Sequence, residues 1–561
     1  MYFSRQSAAD NGRWPRVTNA WLPVLSLMAA IGAGTFAHAD TVTYQLKSVT
    51  KQRVHPVLIR NEYNALLQIT LEITDSALQV TAFHFSFDGT DNLEDIDSLQ
   101  LFYSGDQSPE GLDRLRNGTN YSGDKHSYYT GSSFGNAARP KPIVTFRDIR
   151  KLQPGRHIFW LSCKLRHFAD LSNKLDASCT SIETSQGTSI PSDSTPGIRK
   201  RIGVALQNRY DNYVHTYRIP ALTTTPRGTL LCVYDMRRTK RRDLQEDIDI
   251  GLSRSTDGGQ TWDTSRVIMD MGEYGGLSQN QNGCSDPGIV VDQNTGDIFC
   301  TSVWMWGKLG LHQWVGKGSE PGYEIGKSAQ FLMVRSSDDG LTWTKPENLT
   351  RQVKKPDWHL LAPSPQQGLT LRNGTLVMPV EGRDEKDQMF SALMISQDHG
   401  TTWTVRSGLA IGNGECQVVQ MRNGALMLNG RTERPTKFRS VYTTTDLGDT
   451  WMPHDTHRKT LIEPNCNGSL YRFDYQESGK SKSVLLFANP HSQTGRNHQS
   501  IQVSFDEGQS WPERFRLLLD EGQGNGYPSI SRVGKDAFGI VYEGSQAHLV
   551  YEKITISELL K

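Results

Sequence analysis

Between residues 40 and 196, short strand-like apolar runs alternate with polar turns, at Ala65–Ile73, Leu78–Phe87, Ile143–Phe146 and His157–Leu165. Runs of this length bounded by turn residues predict strands, and the segment reads as a β-sandwich of its own. The stretch Ser181–Pro196, rich in Ser, Thr and Pro, reads as a linker. From about Ile202 the pattern becomes repetitive. Ser255–Trp262 reads S-T-D-G-G-Q-T-W, and S/T-x-D-x-G-x-T/S-W returns at Ser336–Trp343, Ser396–Trp403, Thr444–Trp451 and Ser504–Trp511. A second repeat sits between apolar runs: Arg227-Gly228-Thr229-Leu230, Asn373-Gly374-Thr375-Leu376 and Asn423-Gly424-Ala425-Leu426. Each of these is a hairpin turn of the Asn-Gly type or close to it. Repetition at this scale means an array of similar units. The array that leaves only short, protected strand edges is a β-propeller, with one such hairpin and one boxed turn per blade. The fold class expected is therefore all-β, a propeller preceded by a β-sandwich domain.

The boxed turn has a physical reading. A carboxylate two residues before a Gly hydrogen-bonds its own turn backbone, and the Gly supplies the positive φ the turn needs. The Trp then packs its ring against the sheet. The five box carboxylates, Asp257, Asp338, Asp398, Asp446 and Asp506, are thus read as structural staples and not as catalysts.

Composition changes this picture little, but it narrows the partners. The 561 residues carry a formal net charge of +1, so no electrostatic case exists for nucleic acid or an anionic membrane. Arg5, Arg13 and Arg16 precede an apolar run from Trp21 to Ala37, and Ala37-His38-Ala39 is a small-x-small cleavage site. Residues 1–39 are therefore expected to be a signal peptide, cleaved after Ala39, and the protein to be secreted or periplasmic without stable membrane insertion. Seven cysteines lack Cys-x-x-Cys spacing, so a zinc site has no support, and no cofactor is expected; Cys163 and Cys179 are candidates for one disulfide.

The boxes resemble the Asp-box of the sialidases, and further residues carry the resemblance. Tyr217-Arg218-Ile219-Pro220 is similar to the sialidase R-I-P motif. The family then implies six blades over residues 197–561, residues 40–196 being the N-terminal domain, with a blade-support or glycan-binding role. It also implies a site. Arg218, Arg431 and Arg496 correspond to the clamp on the substrate carboxylate, with Arg434 competing with Arg431. Asp243 corresponds to the acid/base, with Asp247 and Asp249 as competitors. Glu415 corresponds to the general base, Tyr527 to the nucleophile and Glu543 to the carboxylate that orients Arg218. Arg237 and Asp286 resemble the pair that holds the sugar's 4-hydroxyl, a structural turn being the other reading of Asp286. Trp304 and Trp306 either line an N-acetyl pocket or pack in the core. Weaker likeness extends to Leu101-Phe102-Tyr103 and Ile158-Phe159-Trp160-Leu161 in the N-terminal domain.

The chemistry explains these residue types. Sialic acid bears a carboxylate on its anomeric carbon. Three arginines at one spot repel one another unless an anion lies between them, and Arg grips carboxylates with a planar fork. The same carboxylate repels an Asp or Glu nucleophile, whereas a phenol stays neutral until a base takes its proton. A Tyr nucleophile is the known sialidase exception to the two-carboxylate scheme of glycosidases. The expectation is a monomeric retaining exo-α-sialidase acting on glycoproteins, glycolipids and oligosaccharides. The alternatives are a trans-sialidase or anhydro-forming enzyme on the same site, or a non-catalytic Asp-box propeller that binds glycan. Two departures, Pro363-Ser364-Pro365-Gln366-Gln367-Gly368 in place of a Gly-Pro-Gly turn and Thr432 after Arg431, bear on the aglycone side.

Overall fold

The computed structural model describes residues 46–105, 131–244, 246–306, 314, 318–433 and 436–561. The expected signal peptide and Arg434 lie outside these residues. Residues 45–561 form one compact unit.

The N-terminal part is a two-sheet sandwich. One sheet runs Ser192–Asp193, Leu46–Lys51, Asn64–Ile73, Gly155–Leu165, Ile96–Gly105 and Ser132–Ser133 in spatial order; the other runs Gly187–Ser189, Ser178–Thr184, Leu78–Ser86 and Ile143–Leu152. All four strands expected from the apolar runs are present, with ends shifted by a few residues. Aromatic packing joins the sheets. Phe83 of the second sheet meets Phe159 of the first at 4.7 Å, and Phe134 closes edge-on against both. The two strings that resembled the sialidase N-terminal domain are ladder neighbours, Leu101 opposite Leu161 and Phe102 opposite Trp160.

Ser181–Pro196 is not a linker, because it holds most of three strands. Its hydroxyls bond the neighbouring edge: Ser194 Oγ donates to Thr50 O at 2.7 Å, and Thr195 Oγ1 accepts from Gln52 N at 2.7 Å. A Ser/Thr-rich edge strand turns half its side chains to water, which gives it the composition of a linker. Cys163 and Cys179 do not pair; all seven cysteines are free and buried, behaving as small hydrophobes.

Beyond residue 197 the described residues form six four-stranded blades. Blade 1 consists of Thr216–Thr224, Leu230–Arg237, Ile248–Ser255 and Arg266–Met269. Blade 2 starts at Asn282–Val291, and blade 3 is built on Leu376–Arg383. Blades 4 and 5 start at Asn413–Gln420 and Ser469–Glu477. Blade 6 joins Pro528–Val533, Ala537–Tyr542 and Leu549–Thr555 to Lys200–Gln207, a strand from the start of the region. The ring is closed by pairing its two ends. The sandwich joins this closure, since Val57–Ile59 adds in parallel outside Lys200–Gln207.

The five boxes sit at the turn after the third strand of blades 1 to 5. In the first, Ser255 Oγ donates to Asp257 at 2.8 Å, Thr261 Oγ1 donates to Asp257 at 2.5 Å, and Thr261 N donates to the same carboxylate at 3.0 Å. Trp262 Nε1 reaches Gly259 O at 3.0 Å, with Gly259 at φ +90°. In blade 6 the third strand leads instead to the C-terminal helical turn Ile556–Leu559, which is why six blades show five boxes.

Candidate active site

The innermost strands of three blades share one irregularity. Their ladders slip between Arg218 and Ala221, between Ser285 and Gly288, and between Asn413 and Cys416. Such slips re-aim side chains and mark functional rims. Here they point Arg218, Asp286 and Glu415 toward the same end of the propeller axis. Ile219 and Asp286 hold φ +56° and +57°, unfavourable for non-Gly residues and kept by their surroundings. The second strands run the other way and end at the same face, delivering Arg237, Glu381 and Arg431. Glu543 directly follows the second strand of blade 6, and Arg496 lies after that of blade 5.

Tyr527 lies at the centre. It is 5% exposed, and its hydroxyl donates to Glu415 Oε1 at 2.5 Å. Arg431 Nη1 donates to Glu415 Oε2 at 2.7 Å and to the phenol oxygen at 2.9 Å. Arg218 and Arg496 stand over its ring, 5.1 and 5.5 Å from the centroid. Three guanidiniums thus surround one phenol. Burial, then the Glu415 carboxylate, pushes the Tyr527 hydroxyl well above its ordinary value, so the ring is neutral at rest.

Glu543 fixes two of these groups at once. It takes Arg218 Nε and Nη2 in a fork of 2.8 and 3.2 Å, the Ile219 N–H at 2.8 Å and the Tyr527 N–H at 3.3 Å. A carboxylate satisfied four times locks the positive-φ turn of Arg218 to the strand carrying Tyr527. Asn465 does the same for the other arginines: its side chain accepts from Arg431 Nε at 2.9 Å and its carbonyl from Arg496 Nη2 at 3.3 Å.

Asp243 projects from the loop between the second and third strands of blade 1. Its carboxylate is 2.6 Å from Arg237 and 3.8 Å from Arg218, with the side chain 39% exposed, so it faces the cleft. Asp249, a competitor, is buried against Arg238, and burial raises its carboxyl to about 7. Asp247 has no ion pair to the site arginines among the described residues. Arg237 is fully buried, forked by Asp235 at 2.8 and 3.0 Å. Asp286 is tied into the same group, its N–H donating to Asp235 at 3.0 Å. Burial raises Asp235 although Arg237 opposes it, whereas burial and then the neighbouring carboxylates raise Asp286 and Glu381. Trp304 packs in the blade 2 core, 0% exposed, with Nε1 on Asn282 at 2.8 Å; it does not line the cleft. Trp306 packs partly buried against the same core.

Sequence reasoning missed Asp235, Glu381 and Asn465. The first two carried a signal: both stand two residues before an Arg at the end of a second strand, Asp235-Met236-Arg237 and Glu381-Gly382-Arg383. Asn465 sits in a loop with φ +60° and carried none beyond that.

Residues 210–541 match the BNR repeat-like domain, and residues 45–188 match the N-terminal domain of BNR-repeat neuraminidase. The chain is 35% identical over 516 residues to a sialidase of Bacteroides fragilis, covering 90% of this chain and 94% of that one. It belongs to the BNR-repeat sialidase family. A Micromonospora viridifaciens sialidase is 32% identical over 339 residues, 58% of this sialidase and 50% of the relative. Among solved structures, the Hadza microbial sialidase Hz136 superposes with a TM-score of 0.82 at 33% identity, over 91% of this sialidase and 99% of that chain. The N-terminal sandwich is thus part of a shared two-part architecture.

Proposed function

We propose that this sialidase is a retaining exo-α-sialidase in which Tyr527 is the nucleophile. The observation that carries the reading is the short Tyr527–Glu415 hydrogen bond, with Arg431 bridging both partners. Arg218, Arg431 and Arg496 receive the substrate carboxylate, which sets the anomeric carbon over the phenol oxygen. Glu415 takes the phenol proton as the oxygen attacks, so negative charge develops on Tyr527 only in the transition state, where Arg431 already points at it. Asp243, on the open side, protonates the departing glycosidic oxygen and then deprotonates the water that cleaves the sugar–tyrosine bond. Arg237 holds Asp243 and, with Asp286, faces the ring hydroxyl beside it.

Substrates of this site are terminal sialic acids on glycoproteins, glycolipids and oligosaccharides. Proton NMR of the full mature chain acting on α2,3-sialyllactose tests the reaction. The α-anomer of free sialic acid is the expected first product. The β-anomer first would overturn retention, and an anhydro or transferred sugar would overturn hydrolysis while leaving Tyr527 in place.

A further inference from the structure

The innermost strands have a second end. Arg218 opens Thr216–Thr224 at the catalytic face, whereas Thr223 and Thr224 close it; Glu415 opens Asn413–Gln420, whereas Gln420 closes it. At about 3.3 Å per residue the two ends lie about 17–20 Å apart. At the far end all six blades line a cavity of about 640 Å³. This is within the range of small-ligand sites.

Its charge is unlike that of the chain as a whole. Four arginines line it, Arg372, Arg422, Arg472 and Arg532. Arg372 and Arg422 occupy the same position in the Arg-Asn-Gly hairpin turns of blades 3 and 4, a repeat the catalytic site does not use. Arg422 and Arg472 share one carboxylate, Glu507, at 3.3 and 2.6 Å. The other two are held by backbone oxygens. Arg372 donates to Met421 O at 2.7 Å and Arg422 O at 3.2 Å; Arg532 donates to Gly534 O, Lys535 O and Asp474 O and lies over the Phe473 ring. Neither has an ion pair among the described residues. Carbonyls orient a guanidinium without neutralising it, so two fixed positive charges face the cavity. Asp474 is the one carboxylate in the lining. Gln293, Gln420 and Tyr471 add amide and phenol groups of the kind that bind sugar hydroxyls.

We propose that this cavity is a second ligand site, separate from the catalytic cleft, for a sugar carrying one anionic group, a carboxylate or a sulfate ester. Arg372 and Arg532 grip the anion, and the amides and Tyr471 take the hydroxyls. The inference stands on the far-face geometry and does not depend on the catalytic roles above.

Isothermal titration of the full mature chain with free sialic acid and with lactose 3′-sulfate tests it, with lactose and inorganic sulfate as controls. Wild type is expected to bind free sialic acid at two sites. The Arg372→Ala/Arg532→Ala variant is expected to lose the second at least about tenfold in affinity while keeping turnover of α2,3-sialyllactose and thermal stability. Lactose 3′-sulfate titrating the far site identifies a sulfated source, and silence from it identifies the carboxylated sugar. A single site for free sialic acid together with no binding of lactose 3′-sulfate, a second site indifferent to the double variant, or equal binding of neutral lactose would overturn the proposal. Inorganic sulfate binding as tightly as either sugar would overturn its saccharide part.

Discussion

In the proposed mechanism Tyr527, a phenol, does the work a carboxylate does in most glycosidases, and its surroundings make that workable. Its proton is kept by burial and by Glu415, so an approaching sugar carboxylate meets no resting charge. Removing the hydroxyl with Tyr527→Phe, or the base with Glu415→Gln, is expected to cut kcat by about 10²–10⁴-fold while circular dichroism and the unfolding midpoint stay near wild type. Near wild-type turnover in Tyr527→Phe would sink the assignment. Glu543→Gln should behave differently. It removes a charge that faces Arg218 at 1% side-chain exposure, and breaking such a buried pair costs about 3–5 kcal/mol. Stability by calorimetry and activity should therefore fall together. At this scale the sequence was most informative where several ionisable residues stood at fixed offsets from hairpins. It was silent where a residue acts by touching another, as Asn465 does, and undecided at Trp304, because aromatic lining and aromatic core look alike until burial is known.

At the scale of the element, the boxed turns are carboxylate staples whose strength is titratable. In the blade 2 box, Asp338 accepts from Thr342 Oγ1 at 2.5 Å, Thr342 N at 2.8 Å and Ser336 Oγ at 2.8 Å. The Thr342 hydroxyl chiefly, then the Thr342 N–H, lowers its carboxyl from 3.8 to about 2. A carboxylate lowered on folding stabilises above its unfolded value and loses that contribution as pH falls through the folded one. Asp338→Asn should therefore lower the urea midpoint near neutrality, and the difference from wild type should shrink as pH drops from about 4 toward 2. A pH-independent difference would mean that the side chain acts by shape alone. The boxes and hairpin turns were legible because each is a local motif with its own hydrogen bonds. The edge strand Ser192–Asp193 was not, because its partner, Val49–Thr50, lies more than a hundred residues away.

At the scale of the whole molecule, ring closure and the sandwich are one problem. Lys200–Gln207 completes blade 6, Val57–Ile59 adds outside it, and a single apolar cluster contains Ile69, Phe83 and Phe159 of the sandwich with Val204, Leu222 and Tyr551 of the propeller. The sandwich also braces the stretch leading to Tyr527, for Glu521 N donates to Val54 O at 2.8 Å. We therefore expect calorimetry of residues 40–561 to show one cooperative transition, and residues 197–561 alone to be poorly soluble with a lower midpoint. Two independent transitions, or a truncated chain of full stability, would contradict this. The sequence announced two β regions through the boundary between boxed and unboxed repeats. It did not announce that they share a sheet and a core, since nothing in a periodic apolar run names its partner.

In the proposed mechanism Tyr527 becomes covalently bonded to the sugar. When residues 40–561 are incubated with 2,3-difluorosialic acid, fluoride leaves the anomeric carbon as the phenol oxygen bonds to it, and the fluorine at C3 slows hydrolysis of that bond by destabilising the charge that develops at the anomeric carbon. Mass spectrometry of the digested protein should then find one sugar adduct, on the peptide containing Tyr527, absent from Tyr527→Phe. An adduct on Glu415, Asp243 or any other residue, or the same adduct in Tyr527→Phe, would contradict the account.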